Sequence, residues 1–264
     1  MLQQLNGSTR VHFIVGDPIA QVKSPADVSQ AFQARGRNAI VVPAHVTPAD
    51  LRSWLESVSK MLNTDGIIAT VPHKFAAFDL CATASERATF LKTANVMRRN
   101  PDGSWHGDMF DGLGFVAAMR ERGCQPEGKR ALLVGAGGAG SAIAHALVLA
   151  GISTLAIHDE DQERRDTLIA RLRALGKGTV EAGSPNPRGF DIVVNATPIG
   201  MKESDPLPLD GEGLASPMHV ACVITAPAIT PLIALARERG CTTQTGSDMF
   251  ARVRDLMVDF LLEE

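Results

Sequence analysis

The run Val134-Gly135-Ala136-Gly137-Gly138-Ala139-Gly140-Ser141 limits the fold of this chain more than any other stretch. It follows the apolar segment Ala131-Leu132-Leu133 and leads into a helix-forming stretch from Ala142 to Leu149. Glycines at this spacing allow a tight strand-to-helix turn. They also let backbone N–H groups approach a pyrophosphate lying on the positive end of the helix. The pattern is weak when it stands alone, but its context here is complete. The next apolar run, Leu155-Ala156-Ile157-His158, ends at Asp159, where a ribose-binding acid is expected roughly 20 residues on. The reading is a dinucleotide-binding unit, with Gly135, Gly137, Gly138, Ala139, Gly140 and Asp159 around the cofactor.

The turn sits mid-chain in 264 residues, so a second domain has room ahead of it. Residues 1–115 are expected to form that domain and residues 116–246 the nucleotide-binding one. Strand-like and helix-like segments alternate throughout. In the first half, strands are expected at 11–15, 39–44, 66–71 and 94–99, with helices at 24–35, 48–61 and from about 74. Asn100-Pro101-Asp102-Gly103 reads as a hairpin turn before Trp105. A helix over 112–122 and a linker over 123–129 follow. In the second half the apolar runs 131–134, 154–158, 191–195 and 219–224 are nearly continuous, as in parallel strands covered on both faces, and a further strand is expected at 178–181. A last helix runs from 247 to 264. The alternation means α/β, twice over.

A formal net charge of -3 gives no reason to expect nucleic acid or an anionic membrane as partner. No apolar run approaches a membrane span, and Met1-Leu2-Gln3-Gln4 does not open a signal pattern. Cys81, Cys124, Cys222 and Cys241 lie far apart without CxxC spacing, which reads as reduced thiols in a cytoplasmic protein. The seven histidines form no ligand cluster, so no metal is expected. A small-molecule substrate is expected, on a monomer or a homodimer.

Four segments of the first half carry polar residues just past strand ends or at helix starts. They are Gly16 to Pro25, Gly66 to Lys74, Thr93-Ala94-Asn95, and Gly107 to Gly112. In open α/β sheets ligands sit outside the carboxyl ends of the strands. Lys74 alone would be a surface lysine and Asp111 alone a helix cap.

In this order before GAGGAG, these blocks resemble the shikimate/quinate dehydrogenase family over essentially the whole chain. Asn195 to Met201, Pro227 to Leu232 and Gly246-Ser247-Asp248-Met249 add to the match. The resemblance implies an N-terminal α/β substrate domain, a Rossmann-type domain, a C-terminal helix returning to the first, and catalysis in the cleft between them. It implies Lys74 and Asp111 as an acid–base pair that handles the hydroxyl proton while hydride passes between a ring secondary alcohol and nicotinamide. That chemistry needs an acid–base group within hydrogen-bond reach of the hydroxyl. The resemblance also assigns substrate positions to Ser24, Val22, Thr70, Asn95, Phe110, Thr225 and Val253, and nicotinamide-side positions to Asn195, Thr197, Met201, Gly246 and Met249.

Departures from the family pattern concentrate on the substrate. Val22-Lys23-Ser24 stands where two serines are usual, and Met109-Phe110 stands where Asn-Thr is usual. Thr225 replaces a tyrosine and Val253 a glutamine. A shell that loses several polar contacts should favour a less polar ring alcohol over shikimate. Asp159-Glu160-Asp161 in place of Asn-Arg-Thr favours NAD over NADP, because carboxylates accept from ribose hydroxyls and repel a phosphate. Arg164 or Arg165 on the following helix could act in the opposite sense. The alternatives are a genuine shikimate 5-dehydrogenase of aromatic amino acid biosynthesis with a rebuilt pocket, and a non-catalytic sensor that binds cofactor and ligand.

Overall fold

A computed structural model describes residues 5–263. The chain divides into two compact units: one holds the residues up to Phe110 and those from Arg254 on, the other is Asp111–Val253.

In the first unit the elements are β1 (Arg10–Gly16), α1 (Ser24–Ala34), β2 (Ala39–His45), α2 (Leu51–Val58), β3 (Thr64–Ala69), α3 (Lys74–Asp79), β4 (Thr83–Ala84), α4 (Glu86–Leu91), β5 (Val96–Arg99) and β6 (Trp105–Asp108). The sheet order is β2-β1-β3-β5-β6-β4. β1 pairs parallel with β2 and β3, β5 runs antiparallel to β3 and β6, and β4 is parallel to β6. The β5–β6 hairpin closes over Asn100, whose N–H donates to Ser104 O at 2.8 Å, and Gly103 adopts φ +85°. Both tryptophans of the chain lie in this unit. Trp54 meets Phe13 edge-on with ring centroids 5.6 Å apart. Trp105 donates from Nε1 to Ser59 Oγ at 2.9 Å.

Two local readings change here. The helix expected from Pro48 begins at Leu51, because Asp50 N–H bonds back to Thr47 O and its carboxylate accepts from Thr47 Oγ1 at 2.8 Å, which turns the chain first. The short β4 and α4 were not anticipated. Ser85 caps α4 by accepting from Ala88 N, a signal readable afterwards as a serine before a helical turn.

The second unit contains α5 (Asp111–Glu121), β7 (Arg130–Val134), α6 (Gly138–Leu149), β8 (Thr154–His158), α7 (Gln162–Arg173), β9 (Thr179–Ala182), β10 (Ile192–Asn195), β11 (His219–Cys222), α8 (Pro231–Glu238), β12 (Thr242–Gln244) and the start of α9 (Gly246–Leu262), which finishes in the first unit. Its sheet is parallel throughout, in the order β12-β11-β10-β7-β8-β9. Counted from β7 this is the doubly wound dinucleotide-binding order, whose switch point falls between β7 and β10. Leu132, Ile157, Val193 and Val220 are fully buried, as two-faced coverage demands. Helix α5 packs tightly on α6, where a Cβ at Gly112 would lie 2.1 Å from Ala142 O. The connection over 123–129 therefore lies inside this unit.

Candidate active site

In the first unit, four chain segments meet at the carboxyl end of β3. Thr70 N–H donates to Val15 O at 3.0 Å, and Asp17 N–H to Val71 O at 3.0 Å, so the ends of β1 and β3 are tied together. A Cβ at Gly16 would lie 2.5 Å from Thr70 Cγ2, so only glycine allows this approach. Lys74 opens α3. Its position is set from two sides: His73 is buried and donates from Nε2 to Val46 O at 2.8 Å, and Ala94 N–H donates to Lys74 O at 2.9 Å. Asn95 follows at once. It is fully buried, its N–H donates to Asp108 O, and its Oδ1 accepts from Phe110 N at 3.0 Å. Thr70, Lys74 and Asn95 are thus held in one place by backbone bonds. Val22 is half-buried and Ser24 buried at the start of α1. Phe110 is buried too. It packs edge-on to Phe260 at 5.6 Å and under the guanidinium of Arg87 at 4.7 Å, so it serves the core.

In the second unit the glycine turn divides its labour. Gly135 has φ +105°, and a Cβ there would lie 2.9 Å from Ala196. A Cβ at Gly140 would lie 2.0 Å from Gly135 O. Nothing lies within 4 Å of a Cβ built at Gly137, and no side chain caps α6 there. The first-turn N–H groups of α6, Gly138 and Ala139 among them, are therefore presented beside open space. This is a cradle of the kind that holds a dinucleotide phosphate, and its residues fit that group.

Asp159 lies at the end of β8 and is buried. Its Oδ2 accepts from Ala136 N at 2.6 Å, and its Oδ1 from Asp161 N at 2.9 Å and Arg164 Nη2 at 2.6 Å. Burial works against its charge, but the Arg164 and backbone hydrogen bonds outweigh it and hold the carboxyl below its ordinary range. At the end of β10, buried Asn195 accepts from Thr197 N and Oγ1 and donates to Ile199 O at 3.1 Å, which shapes the loop carrying half-exposed Met201. Gly246 is required by packing, since a Cβ there would lie 2.2 Å from Ile224 O. Met249 and Val253 are buried, the latter against Gly114, while Thr225 is partly exposed and Asp111 is buried at the first position of α5.

These two sites have counterparts among known proteins. The model of the shikimate dehydrogenase substrate binding domain matches residues 14–97. The shikimate dehydrogenase (NADP(+)) of Rubrobacter xylanophilus is 35% identical over 255 residues, covering 93% of this chain and 88% of that protein. The chain belongs to the shikimate dehydrogenase family. As a member it is an NAD(P)-linked oxidoreductase of the shikimate/quinate dehydrogenase type. Among solved structures, the quinate dehydrogenase of Corynebacterium glutamicum in complex with NAD is similar at TM-score 0.85 and 28% identity, covering 96% of this chain and 94% of that one. The ligand-free 5-ketofructose reductase of a Gluconobacter strain is similar at TM-score 0.83 and 28% identity, covering 96% and 93%.

Within this family frame, sequence reasoning missed the brace behind Asn95. Asp108 is buried, accepts from Ser85 Oγ and from Arg87 Nε at 2.7 Å, and also accepts from Met109 N at 2.7 Å. Arg87 lies in the unanticipated α4, so no spacing pointed to it. His73 was likewise missed, for its partner is a carbonyl far along the chain.

Proposed function

We propose that this member of the shikimate dehydrogenase family moves hydride between a ring secondary alcohol, shikimate or a close relative, and NAD. The observation that carries the reading is the backbone tie of Lys74 to the Ala94-Asn95 segment, which fixes a lysine beside a buried amide at a sheet's carboxyl end. Lys74 Nζ takes the hydroxyl proton as the C–H bond breaks, and Asp111 partners it in that exchange. Phe110 N–H fixes the orientation of the Asn95 amide, and so sets which end meets a substrate oxygen. The first unit is the substrate domain and the second the cofactor domain, where bound NAD supplies the hydride acceptor.

NAD is preferred because Arg164, the nearest cation on α7, is taken up by Asp159 and lies 3.5 Å from Asp161. A 2′-phosphate would have to displace two carboxylates to reach it. The relatives named for NADP(+) argue the other way, and initial rates with both coenzymes are expected to be higher with NAD+. The cytoplasm suits the four free cysteines.

A second reading, a less polar or uncharged polyol as substrate, is supported by two observations. Apolar Val22 and Val253 stand at substrate positions of the family, and a 5-ketofructose reductase is a structural neighbour. Initial rates of NAD+ and NADP+ reduction with shikimate, quinate and a neutral sugar alcohol, with Lys74→Ala as blank, separate the readings. NAD+-linked turnover of shikimate that vanishes in the blank supports the first, and turnover of only the neutral alcohol supports the second. Cofactor binding with no turnover of any alcohol points to a sensor.

A further inference from the structure

Asn95 takes its place from the residues that end β6. Its N–H donates to Asp108 O at 2.9 Å, and its Oδ1 accepts from Phe110 N at 3.0 Å. The Asn95 backbone and the orientation of its amide therefore both follow the stretch Asp108-Met109-Phe110. A group that holds this stretch still acts on Asn95 without touching it.

Arg87 holds the stretch at two points. Its Nε donates to Asp108 Oδ1 at 2.7 Å and its Nη2 to Asp108 Oδ2, the paired geometry in which a planar guanidinium grips a carboxylate. The same guanidinium sits over the Phe110 ring at 4.7 Å. Asp108 is buried, and its Oδ1 also accepts from Ser85 Oγ and Met109 N. A lysine could not reproduce this hold, because an ammonium is a point charge with neither the fork nor the flat face.

The other end of α4 reaches Asn95 along the chain. Lys92, at φ 56°, is the one non-glycine residue with positive φ among the described residues, and it turns the chain out of α4 into Thr93-Ala94-Asn95. Lys92 Nζ also lies 5.2 Å from the ring centroid of Phe78 on α3, the helix that Lys74 opens. A helix of six residues is thus fastened to the site at both ends.

We propose that Arg87, on the reading above in which Asn95 meets a substrate oxygen, is a positioning residue that sets discrimination among alcohols by locking the Asn95 amide against Phe110. An amide fixed in one orientation pairs with an oxygen at one place. It rejects an analogue that lacks that oxygen, because buried polar atoms are then left unpaired. A loosened amide finds other partners, and the discrimination shrinks.

The test compares the full chain with Arg87→Lys, which keeps a cation beside Asp108, and with the double variant Arg87→Met, Asp108→Asn, which removes both charges together. Exchange of the Phe110 amide with deuterium is expected to be about tenfold faster in both, while the Thr70 amide, bonded to Val15 O, exchanges as before. KM for the alcohol validated by the Lys74→Ala blank, or its calorimetric Kd if the chain proves a sensor, should rise about tenfold. In the enzyme kcat should stay within about threefold and KM for NAD+ should not move. Preference for that alcohol over analogues lacking one hydroxyl should fall about as far as KM rises. Unchanged Phe110 exchange overturns the proposal, as does equal acceleration of both amides, or faster Phe110 exchange with affinity and preference intact. Full turnover in Lys74→Ala would sink the reading of the reaction instead, and Phe110 exchange would still decide for or against the hold of Arg87 on Asn95.

Discussion

Asp108 in the first unit and Asp159 in the second are built alike, yet they guard different things. Both are buried, both accept a backbone N–H from the adjoining loop, and both are gripped by an arginine in the first turn of a helix. Behind Asp108 the loop is sealed: Met109 and Phe110 are buried, and the Arg87 guanidinium sits over the Phe110 ring at 4.7 Å. Beside Asp159 the loop stays open above Gly137. A buried aspartate thus marks backbone that has to be held still. Only the neighbouring side chains say whether that backbone is core or faces a ligand.

On the proposed function, Lys74 serves proton transfer and the glycine turn grips the cofactor, and substitutions at the two should separate these roles. Lys74→Ala should lower kcat by about 10²–10⁴-fold while leaving NAD affinity within about twofold, read by initial rates and cofactor fluorescence titration. A parallel loss of affinity would break the division. Gly140→Ala should act in reverse. A methyl 2.0 Å from Gly135 O forces the turn open, at about 1–3 kcal/mol of stability and with loss of NAD binding.

The two aspartates can then be compared directly. Asp108→Asn should cost about 2 kcal/mol in denaturant melts with cofactor affinity intact. Asp159→Asn should cost about half as much, weaken NAD about tenfold, and shift preference toward NADP as Arg164 is released. Equal effects of the two on affinity would erase the distinction.

The last effect is on acid stability. The His12 pKa falls from 6.5 to about 4, chiefly through burial, with Asp65 opposing and Arg10 assisting. The folded chain therefore binds fewer protons than the unfolded one between those values. Stability is complete above about pH 6.5 and declines on acidification by up to about 1.4 kcal/mol per pH unit. His12→Gln should flatten most of that slope. His219, shifted in the same direction by burial, should keep the remainder.

How much could be read from residues follows from the same physics. The second unit announced itself because parallel strands buried on both faces leave continuous apolar runs, and because a turn that a Cβ would clash with must be glycine. Thr70-x-Pro72-x-Lys74 and Asn95 could be named as a group. Their bonds to Val15, Val46 and Phe110, which hold them, could not, since those contacts join distant residues through the backbone. The burial of Phe110 and Val253 could not be foreseen either. Apolar residues give no sequence sign of which side they turn to a ligand. The two-residue β4 was beyond any periodicity argument.

One feature of composition becomes an experimental asset. The chain has two tryptophans and no tyrosine, and Trp54 and Trp105 both sit on the first unit's sheet and its covering helix. Intrinsic emission excited at long ultraviolet wavelengths therefore reports on that unit alone, while far-ultraviolet dichroism reports on both. Recorded together during a melt, the two signals should coincide if the units come apart as one and diverge if they do not, with no label attached to the protein.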